Sequence, residues 1–466
     1  MKPNIQLINI FDVPYDNAIA TARTCYSSKG IVTPQQTSEK TELRDRIGEG
    51  TYGAGHHTVY THCSVQFAIS DISRFAIWSF LHESPNHNSE QQSFRYCEVK
   101  PSSVYIPKFK NQKSTELYLK HVEYLHNVYK ELITRLIPEV HVHYFDRFKG
   151  RLKNQDKYKG AVKKLAQEIA RYVLPLSTLT SLYHTIPLIT LIRYQQTVKF
   201  NECSQELIEI IEEMVRLVCE RDPNLERLFQ ETPQFPDFEP NLGPITSSVE
   251  LVNHMNTELL GKVDLELFAS TVNCHNHLPN NKHLNHILFT FDKCTSHVCD
   301  SQAQRHRTVS RETTPLRDSF FTNFPYYETP KLIKQSCEKI QELYTEAMES
   351  SYRLIIELLD SGEDKEDVLY LSPNSVKTRV RETTNLANLI HKHKMRLCYN
   401  ALEEFWYTTT LEKQLIGHID QKIGNLLQPP CVFRKWSKTT PYCPEKDRYC
   451  GVPVWNLELD QYERVI

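Results

Sequence analysis

An α+β chain made of two similar halves is what this sequence predicts, and three observations carry it. Between residues 222 and 246, Pro223, Pro233, Pro236, Pro240 and Pro244 interrupt any helix or interior strand and divide the chain into parts of comparable size. On either side the same features recur in the same order, which marks a repeat even where plain identity is low. Each part contains both strand-like runs and long stretches of helical periodicity.

In the first half, Gly55-His56-His57-Thr58 leads into His62-Cys63-Ser64-Val65-Gln66-Phe67, and the second half has His286-Ile287-Leu288-Phe289-Thr290-Phe291. Both read as strands with a histidine at the start. A polar stretch follows each, then a Tyr-rich extended piece containing Pro107 or Pro330. Helical patterns come next: Leu117, Val128 and Leu132 after a Ser114 cap, and Leu332, Ile340, Leu343 and Ile355. Their apolar stripes are packing surfaces. A third shared block is Ala170-Arg171-Tyr172-Val173-Leu174-Pro175-Leu176, answered by Leu371-Ser372-Pro373-Asn374. Each runs into sequence read as helical, 181–218 and 376–412, with Pro187 kinking or delaying the first. The expected division is 1–221, a Pro-rich linker 222–246, 247–427, and an irregular extension 428–466 containing Pro429, Pro430, Pro441 and Pro444.

The 466 residues are enough for two or three domains with ample core. A net charge of -2 gives no reason to expect a polyanion-binding surface, so a nucleic-acid polymer is not an expected partner and a small nucleotide is the better fit. No run approaches the roughly 20 apolar residues of a spanning helix, and the amino-terminal stretch lacks a signal peptide's apolar core. A cytoplasmic location with no membrane partner is expected, and the 13 irregularly spaced cysteines read as reduced thiols.

Two segments carry the chemistry: Arg305-His306-Arg307-Thr308-Val309-Ser310, and Gln91-Gln92-Ser93-Phe94-Arg95-Tyr96. They resemble the two ends of the hallmark of the flavin-dependent thymidylate synthase family, Arg-His-Arg-x-x-Ser-x-Asn-Glu-x-Ser-x-Arg-Tyr. The 170–176 block resembles the family's Ala-Arg-x-Val-Leu-Pro-Leu. The segment Asn385-Leu386-Ala387-Asn388-Leu389-Ile390-His391 through Arg396, Ala401 and Glu404 resembles its Asn-Leu-Arg helix and Ala-Gln-x-Glu. The resemblance covers most of both halves and implies a tandem duplication, each copy a twisted antiparallel sheet with long helices.

Neither copy is complete. After Ser310 the second half has Pro315 for the second serine and Asp318 for the tyrosine. Counting from Phe67, the first half's Arg-His-Arg position falls on Leu81-His82-Glu83, with two extra residues before Ser93. Pro187, Ile189, Arg193 and Val198 stand at the helix's Asn, Arg, polar and Arg positions, while Val368 stands where the first half has Arg171. These losses are complementary. Family members place the nucleotide site between subunits, so fusion allows one of two equivalent sites to decay while the other persists.

The resemblance implies a site in which Gln302, Arg305 and Arg396 come from the second half and Gln91, Ser93, Arg95 and Arg171 from the first. Arg95 and Arg171 with Ser93 suit a phosphate, since guanidinium forks make bidentate charge-assisted bonds. Arg396 against a uracil edge would stabilise charge developing on the ring and is the candidate catalytic group. Arg305, His306, Arg307, Asn385, His391 and Thr58 would hold FAD. The implied reaction is reductive methylation of dUMP to dTMP, with methylenetetrahydrofolate and NADPH as co-substrates and a homodimer reproducing the family's tetramer.

Ala387 replaces a flavin-contacting arginine, Leu402 the glutamine of Ala-Gln-x-Glu, and Thr61 and Asn285 a common glutamate. A divergent flavoenzyme acting on another pyrimidine nucleotide and a non-catalytic nucleotide-binding scaffold are therefore alternatives. Cys274, His275, His277, His283, His286, Cys294, His297 and Cys299 crowd one span and Cys443 with Cys450 adds a pair, but Cys294-x-x-His297-x-Cys299 is not a paired-knuckle spacing and no metal ligand is assigned.

Overall fold

The computed structural model describes residues 3–84, 86–95, 97–100, 103–200, 203–230, 248–261, 263–274, 279–317, 327–458, 461 and 464–466. Two four-stranded antiparallel sheets appear, with the same order. The first contains β1 (Asn4–Ile10), β2 (Ser64–Ser73), β3 (Asn88–Gln91) and β4 (Leu179–Pro187) in the order β1-β2-β4-β3. The second contains β5 (Val249–Met255), β6 (Leu288–Ser296), β7 (Ser310–Thr313) and β8 (Lys377–Asn385) in the order β5-β6-β8-β7. Identical topology in both halves bears out the repeat and the α+β class.

The helices of the first half that matter here are α1 (Arg74–Glu83), α2 (Gln112–Arg147), α3 (Leu188–Phe200) and α4 (Gln205–Arg221). Their counterparts are α5 (His297–Ala303), α6 (Glu338–Asp360), α7 (Leu386–Arg396) and α8 (Glu403–Ile419). Ser73 and Ser296 end matching strands and cap matching helices, accepting from the amides of Ala76 at 2.9 Å and Cys299 at 3.1 Å. Asn111, rather than Ser114, caps α2: its Oδ1 accepts from the Ser114 amide at 2.8 Å.

Residues 179–187 and 377–385, read from sequence as helical, are strands. Their alternation of buried and less buried positions has period two, and a central strand paired on both sides outweighs a helical reading of a short mixed run. Helix begins only at Leu188 and Leu386. Pro223–Phe229, assigned to the linker, is a 3₁₀ segment whose Leu225, Leu228 and Phe229 enter the first half's core. The extension expected to be irregular contains a helix, α9 (Pro430–Trp436), and Phe433 is in the second half's core.

Each half has its own core behind its sheet, and two further clusters draw residues from both halves, one joining Leu132 and Tyr172 with Tyr344 and Phe405, the other joining Phe75 and Tyr118 with Ile355 and Leu371. At the centre two Pro-containing loops pair across a local two-fold axis. The Ser177 amide donates to the Tyr370 carbonyl and the Ser375 amide to the Tyr172 carbonyl, both at 3.0 Å. Leu176 donates to Ser372 and Asn374 to Leu174, both at 2.9 Å. Each tyrosine then crosses the axis: Tyr172 donates to Glu404 at 2.9 Å, Tyr370 to Glu206 at 2.8 Å. Those carboxylates also accept from Ser296 and Ser73, the capping serines. Glu404 of the family-like motif is thus half of a symmetric lock.

This symmetry corrects two registers. Tyr172 stands opposite Tyr370, so the counterpart of Arg171 is Leu369 and not Val368. In β2 the pairing with β4 slips between Ile69 and Ile72, where Asp71 has φ +57°, whereas β6 pairs with β8 without interruption. That bulge adds one residue. Counted from the capping serines, the first half's counterparts of Arg305-His306-Arg307 are His82-Glu83-Ser84, and only one extra residue precedes Asn88.

Candidate functional site

The second half brings its family-like groups together around Arg396, the last residue of α7. Its Nε donates to His306 Nε2 at 2.9 Å, its Nη1 to the Gln302 side chain at 3.2 Å, and its Nη2 to the Gln302 carbonyl at 2.9 Å. The guanidinium carbon is 4.7 Å from the Phe405 ring centre. Burial, together with Arg305, Arg95 and Arg311, pulls its pKa down to about 10, against an opposing pull from Cys299, so it remains a cation at neutral pH. Because His306 Nε2 accepts, its proton sits on Nδ1; burial and the neighbouring Arg396 hold the ring neutral. The His391 ring lies 6.0 Å from it.

The halves meet at this point. Arg307 donates to Asn88 Oδ1 at 2.7 Å and to the Ser89 carbonyl at 3.0 Å, and Arg305 lies 3.6 Å from Glu90. From the other side, Arg95 donates to the Asn400 carbonyl at 3.0 Å and pairs with Glu168 at 2.9 Å. Ser93 accepts from the Arg95 amide at 3.3 Å, and Gln91 ends β3 opposite Leu182.

Arg171 is 7% exposed, its Nε and Nη2 have no hydrogen-bond partner, and its nearest carboxylate, Glu168 at 3.9 Å, is the one Arg95 already engages. Arg74, at the first turn of α1, also has an unpartnered buried Nε, with its guanidinium 5.1 Å from the Phe94 ring centre. Burial beside Arg171 and Arg305 pulls its pKa down to about 9. Sequence reading missed Arg74; the available signal was a lone arginine in the apolar run Ile72–Leu81, where the second half has His297. Buried cations with open donors, one carboxylate between two of them, form an electrostatic hole for an anion.

The symmetric place is filled from within. His82 and His297 stand for Arg305 and Arg74, Val198 for Arg396, Leu369 for Arg171 and Pro315 for Ser93. Here the fully buried Asp300 accepts from Trp78 Nε1 at 2.8 Å, lies 2.7 Å from His82 Nε2 and pairs with Arg311. Against burial, which would raise it, Arg311 and His82 hold this carboxyl well below the usual carboxylate range. One place shares a single carboxylate, Glu168, between Arg95 and Arg171, and the other holds the buried Asp300 between Arg311 and His82.

Two of the predicted flavin groups, Asn385 and Thr58, stand differently, and position 387 has no flavin-contacting side chain. The Asn385 Oδ1 accepts from the Asn388 amide at 2.9 Å and so caps α7. Ala387, where the family has an arginine, is 5% exposed in the second half's core. Thr58 is exposed on the 3₁₀ turn His57–Thr61 of the first half, and among the described hydrogen bonds none joins it to His306, Arg307 or Asn385. Of the Cys/His-rich span, residues 275–278 lie outside the described residues; His297 packs 5.4 Å from Trp78, and no three described Cys, His, Asp or Glu stand at metal-binding spacing.

Residues 6–224 and 253–415 match the family described as thymidylate synthase complementing protein. A flavin-dependent thymidylate synthase of Pyrococcus abyssi is 30% identical over 174 residues, 35% of this chain and 68% of that one. The enzyme of the same name from Thermococcus onnurineus is 29% identical over 199 residues, 40% and 76% of the two chains, and that of Saccharolobus solfataricus 27% over 159 residues, 33% and 58%. With most of its length matched in two segments that fold alike about a local two-fold axis, the chain belongs to the flavin-dependent thymidylate synthase family and carries two copies of its domain in tandem.

Proposed function

We propose that the chain is a flavin-dependent enzyme that methylates dUMP to dTMP at a single composite site per chain, with methylenetetrahydrofolate and NADPH as co-substrates. The observation that carries this reading is the contrast between one junction of the halves, where the buried Arg171 and Arg74 keep open donors and a single carboxylate, Glu168, is shared with Arg95, and its twin, where the buried Asp300 meets Arg311 and His82. A nucleotide phosphate would take the open donors of Arg171 and Arg74, with Arg95, Ser93 and Gln91 at its border. Arg396, fixed by three hydrogen bonds, would meet the pyrimidine edge with Gln302 and stabilise negative charge as it develops there. Bound FAD would supply the electrons of the reduction. The groups that fit it are Arg305, the Nδ1–H of His306, Arg307 and His391; the helix side retains the Asn385 cap but no arginine at 387. That loss favours one second reading, a flavoenzyme acting on a related pyrimidine nucleotide.

Two chains would complete the family's assembly as a homodimer. The test is an absorption spectrum of the purified protein after incubation with FAD, followed by NADPH oxidation with and without dUMP. A flavin spectrum and dUMP-dependent oxidation are expected. Protein that takes up no FAD yet binds dUMP would instead be the nucleotide-binding scaffold.

A further inference from the structure

Four cysteines from three separated segments meet in the carboxy-terminal region, three of them beyond the part that matches the family, which ends at residue 415. Cys398 follows α7, Cys431 is in α9, and Cys443 and Cys450 flank the turn after it; together they help line one small cavity of about 20 Å³, space for one small ion or water molecule. The surrounding apolar cluster is small, built on Tyr399, Val432 and Val454 with Trp436 and Trp455 against it. A segment of this length with no strand among its described residues has too little core to hold itself, the situation in which small units use a metal or disulfides. All four cysteines are free thiols.

We propose that Cys398, Cys431, Cys443 and Cys450 bind one zinc ion as a structural Cys₄ site. Zinc takes thiolate ligands in a closed tetrahedral set, and Cys–Zn distances of about 2.3 Å fit a cavity of this size. The Cys450 thiol donates to the Val452 carbonyl at 3.5 Å. Arg147 and Arg464 lie over the Tyr399 ring that lines the cavity, their guanidinium carbons 4.3 and 5.0 Å from its centre. Gly451, at φ +83°, makes the turn after Cys450, and a Cβ there would come within 2.7 Å of the Phe148 ring. The four sulfurs share the cavity but do not yet stand at coordination spacing; rotation about χ1 between staggered wells swings a sulfur across such a space. Binding would release four thiol protons to solvent as four sulfur–zinc bonds form, with no redox change.

The site also reaches the composite crevice. Asn400, two residues after Cys398, offers its carbonyl to Arg95 and donates from its side chain to the Arg448 carbonyl at 2.6 Å, inside the Cys443–Cys450 turn. Zinc would thereby hold a partner of Arg95 in place, a consequence that rests on the proposed nucleotide site.

The full chain, expressed with zinc in the medium, is assayed for metal by mass spectrometry and then exchanged with cobalt(II). One zinc per chain is expected, with intense d–d bands of tetrahedral thiolate cobalt after exchange. The double variant C443S/C450S should lose the metal, while C25S/C337S, which removes two exposed thiols, should keep it. Natively folded protein that contains no metal and gives no cobalt bands would overturn the proposal, as would full zinc retention in C443S/C450S, and iron in place of zinc would overturn the choice of ion. If the double variant fails to fold, the metal content and cobalt spectrum of the unaltered chain decide. Metal is read without nucleotide, so its failure and that of the proposed activity are separate results.

Discussion

Arg171→Leu separates binding from stability, because leucine is what occupies the symmetric position, 369, in the same fold environment. Without nucleotide, Arg171 leaves Nε and Nη2 unpaired in a 7% exposed setting and shares Glu168, 3.9 Å away, with Arg95. An unsatisfied buried polar group costs about 1–3 kcal/mol. Removing the guanidinium should therefore raise the unfolding free energy of the nucleotide-free protein by about 1–3 kcal/mol, since a volume-similar apolar side chain replaces it. Bonds from a cation to phosphate contribute about 1.5–3 kcal/mol each, and two are lost, so dUMP affinity should fall by about two to four orders of magnitude. Urea unfolding with and without dUMP, together with calorimetric titration, measures both effects. A variant that is less stable than the parent without nucleotide, or that binds dUMP as the parent does, would refute the idea that this arginine is held open for an anion.

Asp300→Asn, at the twin place, should do the reverse: leaving Arg311 without its buried counter-charge destabilises by about 3–5 kcal/mol, with dUMP affinity unchanged; a loss of affinity would show that the twin still binds. Arg396→Ala should lower kcat for dUMP-dependent NADPH oxidation by about 100- to 1000-fold, the scale of removing an aligned electrostatic donor; an unaltered kcat in steady-state assays would remove Arg396 from the chemistry. Burial pushes the carboxyls of Glu206 and Glu404 up to about 7 from 4.5. Between those values the folded chain keeps protons that the unfolded chain has released, so their contribution is full below about 4.5 and declines as pH rises through about 7. Glu206→Gln should flatten the dependence of Tm on pH in that window, and a difference between variant and parent that is constant with pH would contradict the assignment. Tyr172→Phe and Tyr370→Phe should each cost about 1–3 kcal/mol in urea unfolding, because each leaves a buried carboxylate short of a donor across the axis.

Residue types with fixed spacing were legible without coordinates. Arg305-His306-Arg307, Ser93-x-Arg95 and the run from Asn385 to Arg396 sit in continuous segments, and their chemistry depends on local order. Position counting failed wherever the backbone is irregular. The bulge at Asp71 moved the first half's Arg-His-Arg counterpart by one residue, and a two-fold contact visible only in three dimensions moved the partner of Arg171 from Val368 to Leu369. The strands 179–187 and 377–385 were misread as helix because short mixed runs acquire their state from strand pairing on both sides. Arg74 was invisible for a related reason: a single arginine in an apolar run acquires meaning only from what packs beside it.

The sequence by itself determined that there are two copies, which residue types each retains, and that their losses are complementary, since these are properties of order along the chain. Only the tertiary structure decided which losses matter. It left Arg171 and Arg74 with open donors at one junction of the halves, where burial makes an incompletely met charge costly, and placed Asp300 with Arg311 at the other, where the charge is already met. Charge compensation acts across a few ångströms of space and draws in residues as distant along the chain as His82 and Asp300, so no spacing along the chain encodes it.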